Sequence, residues 1–270
     1  MTQIRKPAVA GLFYPAGAAE LRVAVREMLD SANAEPGTAP KALIVPHAGY
    51  RYSGPVAASA YARLAPFRSD YRRVVLLGPC HRVPLRGIAR SGASAFETPL
   101  GAVPLDLEAE RSLDSSVVGV SRAAHRDEHS LEVQLPFLQT VLERFSLVPL
   151  VIGDAEPDAV EAVLDGLWGG KETLLVVSSD LSHYLPHARA ALLDRSTCRA
   201  IERLDPHGID HQRACGAAVI GGLLMAAAQR GLAVETVDLR NSGDIAGDRS
   251  QVVGYGSWIF AEDETCVQAA

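Results

Sequence analysis

The stretch ALIVPHAGY at 42–50 decides the fold class, because it joins a short apolar run directly to polar and turn-forming residues. A run of four apolar residues that ends at a turn is typical of a buried strand. The same pattern recurs in VVLLGPCH at 74–81, LLVVSSDLSH at 174–183 and VETVDLRNSGD at 234–244. Each predicted strand therefore leads into a polar segment at its carboxyl end.

Longer amphipathic segments separate these runs, and this alternation predicts an α/β fold with a mostly parallel or mixed central sheet flanked by helices. We predict strands at 42–45, 74–77, 147–152, 174–177, 234–239 and 252–259. We predict helices at 19–30, 55–64, 130–145, 157–167, 187–204 and 215–230. With 270 residues and no internal repeat, we expect one domain spanning 1–270.

The composition excludes several classes of function. Hydrophobic residues make up 48% and charged residues 21%, which is typical of a chain that folds around its own core. A net charge of −6 offers no basic surface for nucleic acid or for an anionic membrane. No apolar stretch reaches the roughly 18 residues of a membrane span. The four cysteines, which show no CxxC spacing, fit a reducing compartment, so we expect a cytoplasmic protein: Cys80, Cys198, Cys215 and Cys266.

Polar residues at the strand ends point to a metal site. The carboxyl ends of parallel strands share one edge of a sheet, so His47 and His81 are expected to converge there. Two imidazoles and a carboxylate are the ligand set of many non-haem Fe(II) centres. Asp180 and Asp244 follow the two other strands, although an Asp at such a position also caps helices or stabilises turns. A lone histidine is more often a surface or hydrogen-bonding residue, and the pair is what favours a metal.

Two further segments carry ionisable side chains. Glu128 and His129 precede a predicted helix, where they form an acidic first turn or supply a general acid or base to a pocket. Cys215 begins another helix, whose dipole can lower the pKa of a thiol, and a buried, inert cysteine is the alternative. Of the neighbours Cys80 and His81, one side chain is expected to face the pocket, and we predict that it is His81. No phosphate loop, dinucleotide-binding motif or GxSxG elbow is present.

Five motifs in order resemble the Memo family, whose bacterial and archaeal members are called AmmeMemoRadiSam system protein B. They are VPHAGYRYSG at 45–54, LLGPCHRVPL at 76–85, DEHSLEVQLPFL at 127–138, VVSSDLSHY at 176–184 and NSGD at 241–244. The resemblance implies a fold shared with class III extradiol dioxygenases. It also implies metal ligands at His47, His81 and Asp244, a proton-transferring base at His183, and Asp180 as the residue that orients this base.

The resemblance has consequences for the ligand and the partners. It implies Fe(II) as the first candidate metal, with copper or zinc as alternatives, and a radical-SAM protein as a partner. Tyr52 and Cys215 are expected to border the pocket. Animal members carry Cys where Asp244 aligns and His where Gln134 stands, so this chain departs from them at both positions.

Two functions follow from these expectations. One is an iron-dependent oxidoreductase for a small substrate, in which His183, Asp180, Glu128 and His129 supply the acid–base groups. The other is a metal-carrying or peptide-binding module that uses the same pocket without turnover.

Overall fold

The structure is a computed structural model that describes residues 3–32 and 37–262, so Cys266 lies outside the described residues. The described residues form twelve strands and nine α-helices. The strands are β1 (Ile4–Arg5), β2 (Ala42–Val45), β3 (Arg73–Pro79), β4 (Ile88–Arg90), β5 (Ala95–Thr98), β6 (Gly101–Pro104), β7 (Val118–Val120), β8 (Ser146–Ile152), β9 (Thr173–Ser178), β10 (His183–Leu185), β11 (Leu232–Asn241) and β12 (Val252–Glu262). The helices are α1 (Ala18–Asp30), α2 (Tyr50–Tyr61), α3 (Leu107–Ser112), α4 (Arg122–Arg126), α5 (Leu135–Val141), α6 (Pro157–Leu167), α7 (His187–Glu202), α8 (Ala217–Gln229) and α9 (Ser242–Ala246).

A nine-stranded mixed sheet forms the centre of the fold. Its middle strands run parallel in the order β2-β9-β3-β8, and β12 and β4 pair antiparallel to the two sides of this block. β1, β5 and β6 form a separate three-stranded sheet. The predicted α/β fold with a mixed sheet flanked by helices is confirmed, and β2, β9 and β3 end side by side at one edge.

Alternation along the central strands explains why helices cover both faces. In β2, Leu43 and Val45 pack into one apolar cluster, whereas Ala42 and Ile44 pack into a second cluster on the opposite face. Successive side chains of a strand point to opposite faces, so a strand that is buried on both sides is apolar throughout. The first cluster includes side chains of α1, α2 and α5, and the second includes side chains of α6, α7 and α8.

Two predicted helices differ from the observed ones. The helix predicted at 55–64 begins at Tyr50, with Pro55 inside it. Pro55 has no N–H group, so the carbonyl of Arg51 one turn earlier lacks its usual helical partner. The helix predicted at 130–145 is reduced to a 3₁₀ turn at Glu132–Gln134 and the short α5.

Glu132 ties the N-terminal segment to the chain that precedes α5. Its carboxylate is fully buried and forms an ion pair with Arg5. It also accepts hydrogen bonds from the Tyr14 hydroxyl at 2.6 Å and from the backbone N–H groups of Ala8 at 2.8 Å and Val9 at 3.0 Å. Burying a carboxylate is costly unless donors of this kind hydrogen-bond its oxygens. Residues 5–14 are therefore anchored close to the segment that carries His129.

No helix among the described residues is long and apolar enough to cross a membrane.

Candidate metal centre

Three imidazoles come together at the carboxyl edge of the sheet. One ligand atom from each of His47, His81 and His129 lies within 4.8 Å of the other two. The ring centroids are 5.1 Å apart for His47 and His81, 5.4 Å for His47 and His129, and 4.8 Å for His81 and His129. We call these residues the three-histidine group. Its side chains can hold a metal ion.

His47 enters the group directly after β2. Its backbone N–H donates to Oδ1 of Asp180 at 2.7 Å, which fixes the turn that follows the strand. Its Nδ1 lies 3.0 Å from Oγ of Ser178, and its Nε2 lies 3.3 Å from Sγ of Cys215. Burial, followed by the neighbouring His81 and His129, lowers the pKa of His47 well below its usual value. The ring is therefore neutral near pH 7, as a metal-binding imidazole must be.

His81 follows β3 and is held by Glu128. The Glu128 carboxylate accepts hydrogen bonds from the backbone N–H and the Nδ1 of His81, at 2.5 and 2.9 Å, and from the backbone N–H groups of His129 and Ser130. Burial raises the pKa of Glu128, but the hydrogen bonds and charge of His81 and the backbone donors outweigh it and lower the pKa to about 2. An ionised Glu128 keeps a proton on Nδ1 of His81 and leaves Nε2 for a metal.

His129 completes the group from the loop after α4. Its Nδ1 is buried and has no hydrogen-bond partner, although it lies 3.3 Å from Oε1 of Glu128. Burial lowers the pKa of His129 to about 4, while the Glu128 charge opposes this shift. Buried nitrogens of neutral rings are normally hydrogen-bonded, so an unpartnered one beside two other imidazoles fits a site for an ion.

His183 lies in β10, where the chain makes an irregular turn. The register of β10 against β12 shifts between His183 and Leu185, and Tyr184 has a left-handed backbone with φ of 56°. Burial lowers the pKa of His183, and the proximity of His81 lowers it further. β-bulges of this kind often direct a side chain toward a functional site.

Asp180 lies at the end of β9 but contacts a different histidine from the one predicted. Its carboxylate accepts from the backbone of His47 and Ala48, and no hydrogen bond joins it to His183 among the described residues. Burial raises the pKa of Asp180 to about 7, although the two backbone N–H groups oppose this. In this structure Asp180 therefore supports the turn that carries His47, and its predicted action on His183 stays a prediction.

Cys215 borders the three-histidine group just before α8. Burial raises the pKa of its thiol to about 12, so of the two alternatives the unreactive cysteine fits the structure and the thiolate does not. Tyr52 is half-buried on α2, and the Arg51 guanidinium lies 5.7 Å from its ring centre. Cys215 and His81 line a cavity of about 370 Å³, whereas Tyr52 does not. Further residues of this cavity are Cys80, Leu85, Ile152, Asp154, His211 and Val219.

Asp244, predicted as the third metal ligand, is not part of the three-histidine group. It lies at the start of α9, where Oδ2 accepts from the backbone N–H of Asn241 and Oδ1 lies 2.6 Å from Nε2 of His187. Both oxygens of the Asp244 carboxylate therefore have hydrogen-bond partners. The strand that precedes Asp244 is β11, and β12 separates β11 from β2. Among the described residues, the side chain that joins His47 and His81 in one group is that of His129.

The groups that hold His47 belong to residues that were not predicted as site residues. Ser178 and Gln134 form its hydrogen-bonded support, with Gln134 Nε2 donating to Ser178 Oγ at 2.8 Å. A signal was present, because Ser178 ends a buried strand next to β2 and a buried hydroxyl needs partners. Gln134 lies 44 residues away in sequence, and only the fold brings the two together.

Comparisons of the amino-acid sequence with known proteins agree on one family. Residues 5–259 match the family described as "Memo-like protein". A "MEMO1 family protein" of Sulfolobus acidocaldarius is 35% identical, covering 96% of this chain and 100% of that protein. Another of Aquifex aeolicus is 37% identical, covering 96% and 99%. A comparison with solved structures matches this chain to "uncharacterized protein JW3007" from Escherichia coli K12. The TM-score is 0.49, the identity is 14%, and the match covers 81% of this chain and 98% of that one.

Proposed function

The chain belongs to the family of Memo-like proteins, and we propose that it binds a transition-metal ion through His47, His81 and His129 and acts with it on a small substrate. One observation carries the proposal, namely that three imidazoles converge at the carboxyl edge of the sheet. His81 is held through Nδ1, which leaves its Nε2 free, and Nε2 of His47 faces only the thiol of Cys215. His129 has a buried Nδ1 without a hydrogen-bond partner. Three histidines that leave a further position open are a common ligand set of catalytic metal sites.

The reaction class that we propose is an oxidation that depends on Fe(II). Imidazole ligands suit iron, zinc, copper and nickel, so the three-histidine group accepts iron without requiring it. When bound, Fe(II) would supply electron transfer and a position for oxygen or substrate. The cavity beside His81 would hold an organic molecule between the apolar side chains of Leu85, Ile152 and Val219.

The residues around the metal position have different roles in the proposed reaction. Glu128 holds His81, and Asp180 holds the turn of His47. His183 is a neutral imidazole within electrostatic range of His81, and in the proposed reaction it takes or returns a proton of the substrate. A radical-SAM partner and a cytoplasmic location remain predictions from the resemblance and the composition.

A metal-carrying module without turnover is the second candidate, and Cys215 favours it. Its sulfur lies 3.3 Å from Nε2 of His47, and no carboxylate of the described residues joins the three-histidine group. Soft ions such as Cu(I) prefer sulfur and imidazole to carboxylate ligands. Such a site would bind copper tightly and would need no substrate cavity.

The decisive experiment is the metal content of protein purified without oxygen, followed by oxygen-uptake measurements with a panel of small phenols, thiols and amines. We expect close to one equivalent of metal per chain, and uptake that depends on Fe(II) and on one class of substrate. His81→Ala serves as the inactive control. A parent chain that neither contains nor takes up Fe(II), Zn(II) or copper would refute the metal centre, whereas tight copper binding without uptake would favour the carrier.

A further inference from the structure

A buried chain of hydrogen bonds runs beneath the three-histidine group and ends at His47. The Tyr61 hydroxyl donates to Oε1 of Gln134 at 3.0 Å. Nε2 of Gln134 donates to the carbonyl of Pro46 at 2.9 Å and to Oγ of Ser178 at 2.8 Å. Oγ of Ser178 lies 3.0 Å from Nδ1 of His47. The side chains of Gln134, Ser178 and His47 are at most 2% exposed, so water does not compete for these bonds.

The orientation of the Gln134 amide follows from the chemistry of its partners. A backbone carbonyl can only accept a hydrogen bond, so the NH₂ group of Gln134 must face Pro46. The second proton of that NH₂ group then points at Ser178. The amide oxygen remains to accept from Tyr61, which matches the observed contact. Oγ of Ser178 therefore accepts one hydrogen bond from Gln134.

The proton of the Ser178 hydroxyl is fixed by a second carbonyl. Oγ of Ser178 donates to the backbone carbonyl of Ser130 at 2.6 Å, and this carbonyl also can only accept. Because a hydroxyl has a single proton, Ser178 has none left for His47. The remaining contact must have His47 as the donor, with the proton on Nδ1. Nε2 of His47 then carries a lone pair, which in the protein without metal faces the thiol of Cys215.

From this chain we infer that Ser178 and Gln134 are positioning residues that hold His47 in its Nδ1–H tautomer and so direct the lone pair of Nε2 toward the metal position. The link to metal rests on the proposed function, whereas the tautomer itself is a property of the protein without metal. His81 is held in the matching tautomer by the ionised Glu128. The two imidazoles thus have different supports, one a carboxylate and the other an uncharged chain that ends on two backbone carbonyls.

The tautomer can be measured directly by NMR. Protonated and lone-pair ring nitrogens of histidine have well-separated ¹⁵N chemical shifts, and long-range ¹H–¹⁵N correlations link both to the ring carbons. The full chain with ¹⁵N-labelled histidine, stripped of metal, would be compared with His47→Gln to assign the ring. We expect Nδ1 of His47 to be protonated and Nε2 to carry the lone pair. A wild-type spectrum with the proton on Nε2 would overturn the inference, whatever the variants do.

Ser178→Ala removes the acceptor of the Nδ1 proton, and Ser179→Ala is its matched control. Ser179 is the next residue and is equally buried, but its hydroxyl donates to the carbonyl of Asp180 and accepts from the backbone of Gly216. It also lies 3.7 Å from the sulfur of Cys215, so this control keeps the Nδ1 support of His47 and changes only the surroundings of the thiol on the Nε2 side. In Ser178→Ala we expect His47 to populate the Nε2–H tautomer. We also expect the affinity for Zn(II), measured by competition with a chromophoric chelator, to fall about 10- to 100-fold, as for other groups that support a ligand.

In Ser179→Ala, both the His47 spectrum and the Zn(II) affinity should stay at the wild-type values. If the Ser178→Ala variant kept the Nδ1–H tautomer of His47 and its full affinity for Zn(II), the positioning role of Ser178 would be refuted. A parent protein that shows the expected tautomer but binds no Zn(II), Fe(II) or copper would refute the proposed function, while the role of Ser178 in fixing the ring would stand.

Discussion

Nδ1 of His81 lies 2.9 Å from Oε1 of Glu128, and the same carboxylate also accepts the backbone N–H of His81 at 2.5 Å. One side chain thus fixes both the ring and the backbone of a residue in the three-histidine group. Glu128 also accepts from the backbone N–H of His129 at 2.9 Å. The position of two of the three imidazoles therefore depends on a single buried carboxylate.

Glu128→Gln should weaken metal binding about 10- to 100-fold, because an amide cannot accept all the hydrogen bonds that the carboxylate accepts. Asp127→Asn is the matched control, since Asp127 is an exposed neighbour that pairs with Arg126. Competition with a chelator measures both affinities for Zn(II). Equal affinities for Glu128→Gln and the parent would show that His81 needs no such support.

His129→Ala and Asp244→Ala test which residue is the third ligand. Loss of a direct ligand should reduce the affinity for Fe(II) more than the roughly 100-fold expected for a supporting residue, and we expect this for His129→Ala. Asp244→Ala should bind Fe(II) as the parent does, because its carboxylate contacts His187 and the backbone of Asn241. Anaerobic calorimetry gives both values. The opposite ranking of the two variants would restore Asp244 as a ligand.

Arg5→Ala should lower the free energy of unfolding by about 3 to 5 kcal/mol, because it leaves the fully buried Glu132 without its cation. Lys6→Ala is the comparison, since Lys6 is largely exposed and its ion pair with Glu97 is expected to contribute at most about 1 kcal/mol. Urea unfolding monitored by tryptophan fluorescence measures the difference. A loss below about 1 kcal/mol for Arg5→Ala would contradict the anchoring role of Glu132.

Glu110→Gln should stabilise the protein at alkaline pH. Burial raises the pKa of Glu110 on α3 from 4.5 to about 7, and its Oε1 has no hydrogen-bond partner. A raised carboxyl pKa means that the folded state binds the proton more tightly than the unfolded state. The associated stability is present below pH 4.5 and is lost as pH rises through about 7, by at most about 3 kcal/mol.

The measurement for Glu110 is urea unfolding at pH 5.5, 7 and 8.5, with Glu108→Gln on the exposed side of α3 as the control. The gain in stability of Glu110→Gln over the parent should grow across this series, whereas the gain for Glu108→Gln should stay constant. A pH-independent difference between the parent and Glu110→Gln would mean that Glu110 is ionised throughout.

The sequence predicted the central strands because their signal is local. A strand buried on both faces, such as β9, must be apolar along its length, and 174–177 lies within Thr173–Ser178. The strand ends also placed His47 and His81 at one edge. Helix starts are harder to predict. Proline is common in the first turn of a helix, which favours a start at Pro55, but α2 begins at Tyr50 and has Pro55 inside it.

The third member of the three-histidine group could not be predicted from strand ends, because it does not come from one. His129 lies in a loop after α4, and its position depends on Glu128, which reaches the end of β3 from a distant part of the chain. Asp244 does follow a strand, but that strand, β11, lies on the far side of β12 from β2. The carboxylate of Asp244 takes part in capping α9. Which strand lies next to which is a property of the whole sheet and leaves no local mark in the sequence.

The bonds that define the three-histidine group join residues far apart along the chain: 47 positions separate His81 from Glu128, 131 separate His47 from Ser178, and 168 separate His47 from Cys215. Contacts of such long sequence separation require large loops to close, and they form late when a chain folds. An ion added to a refolding mixture should therefore find its full ligand set only after β2, β3 and β9 have assembled. The rate of metal uptake would then report on the last stage of folding and would be slower than the burial of the tryptophan side chains. A fragment that ends before β9 would take up no metal.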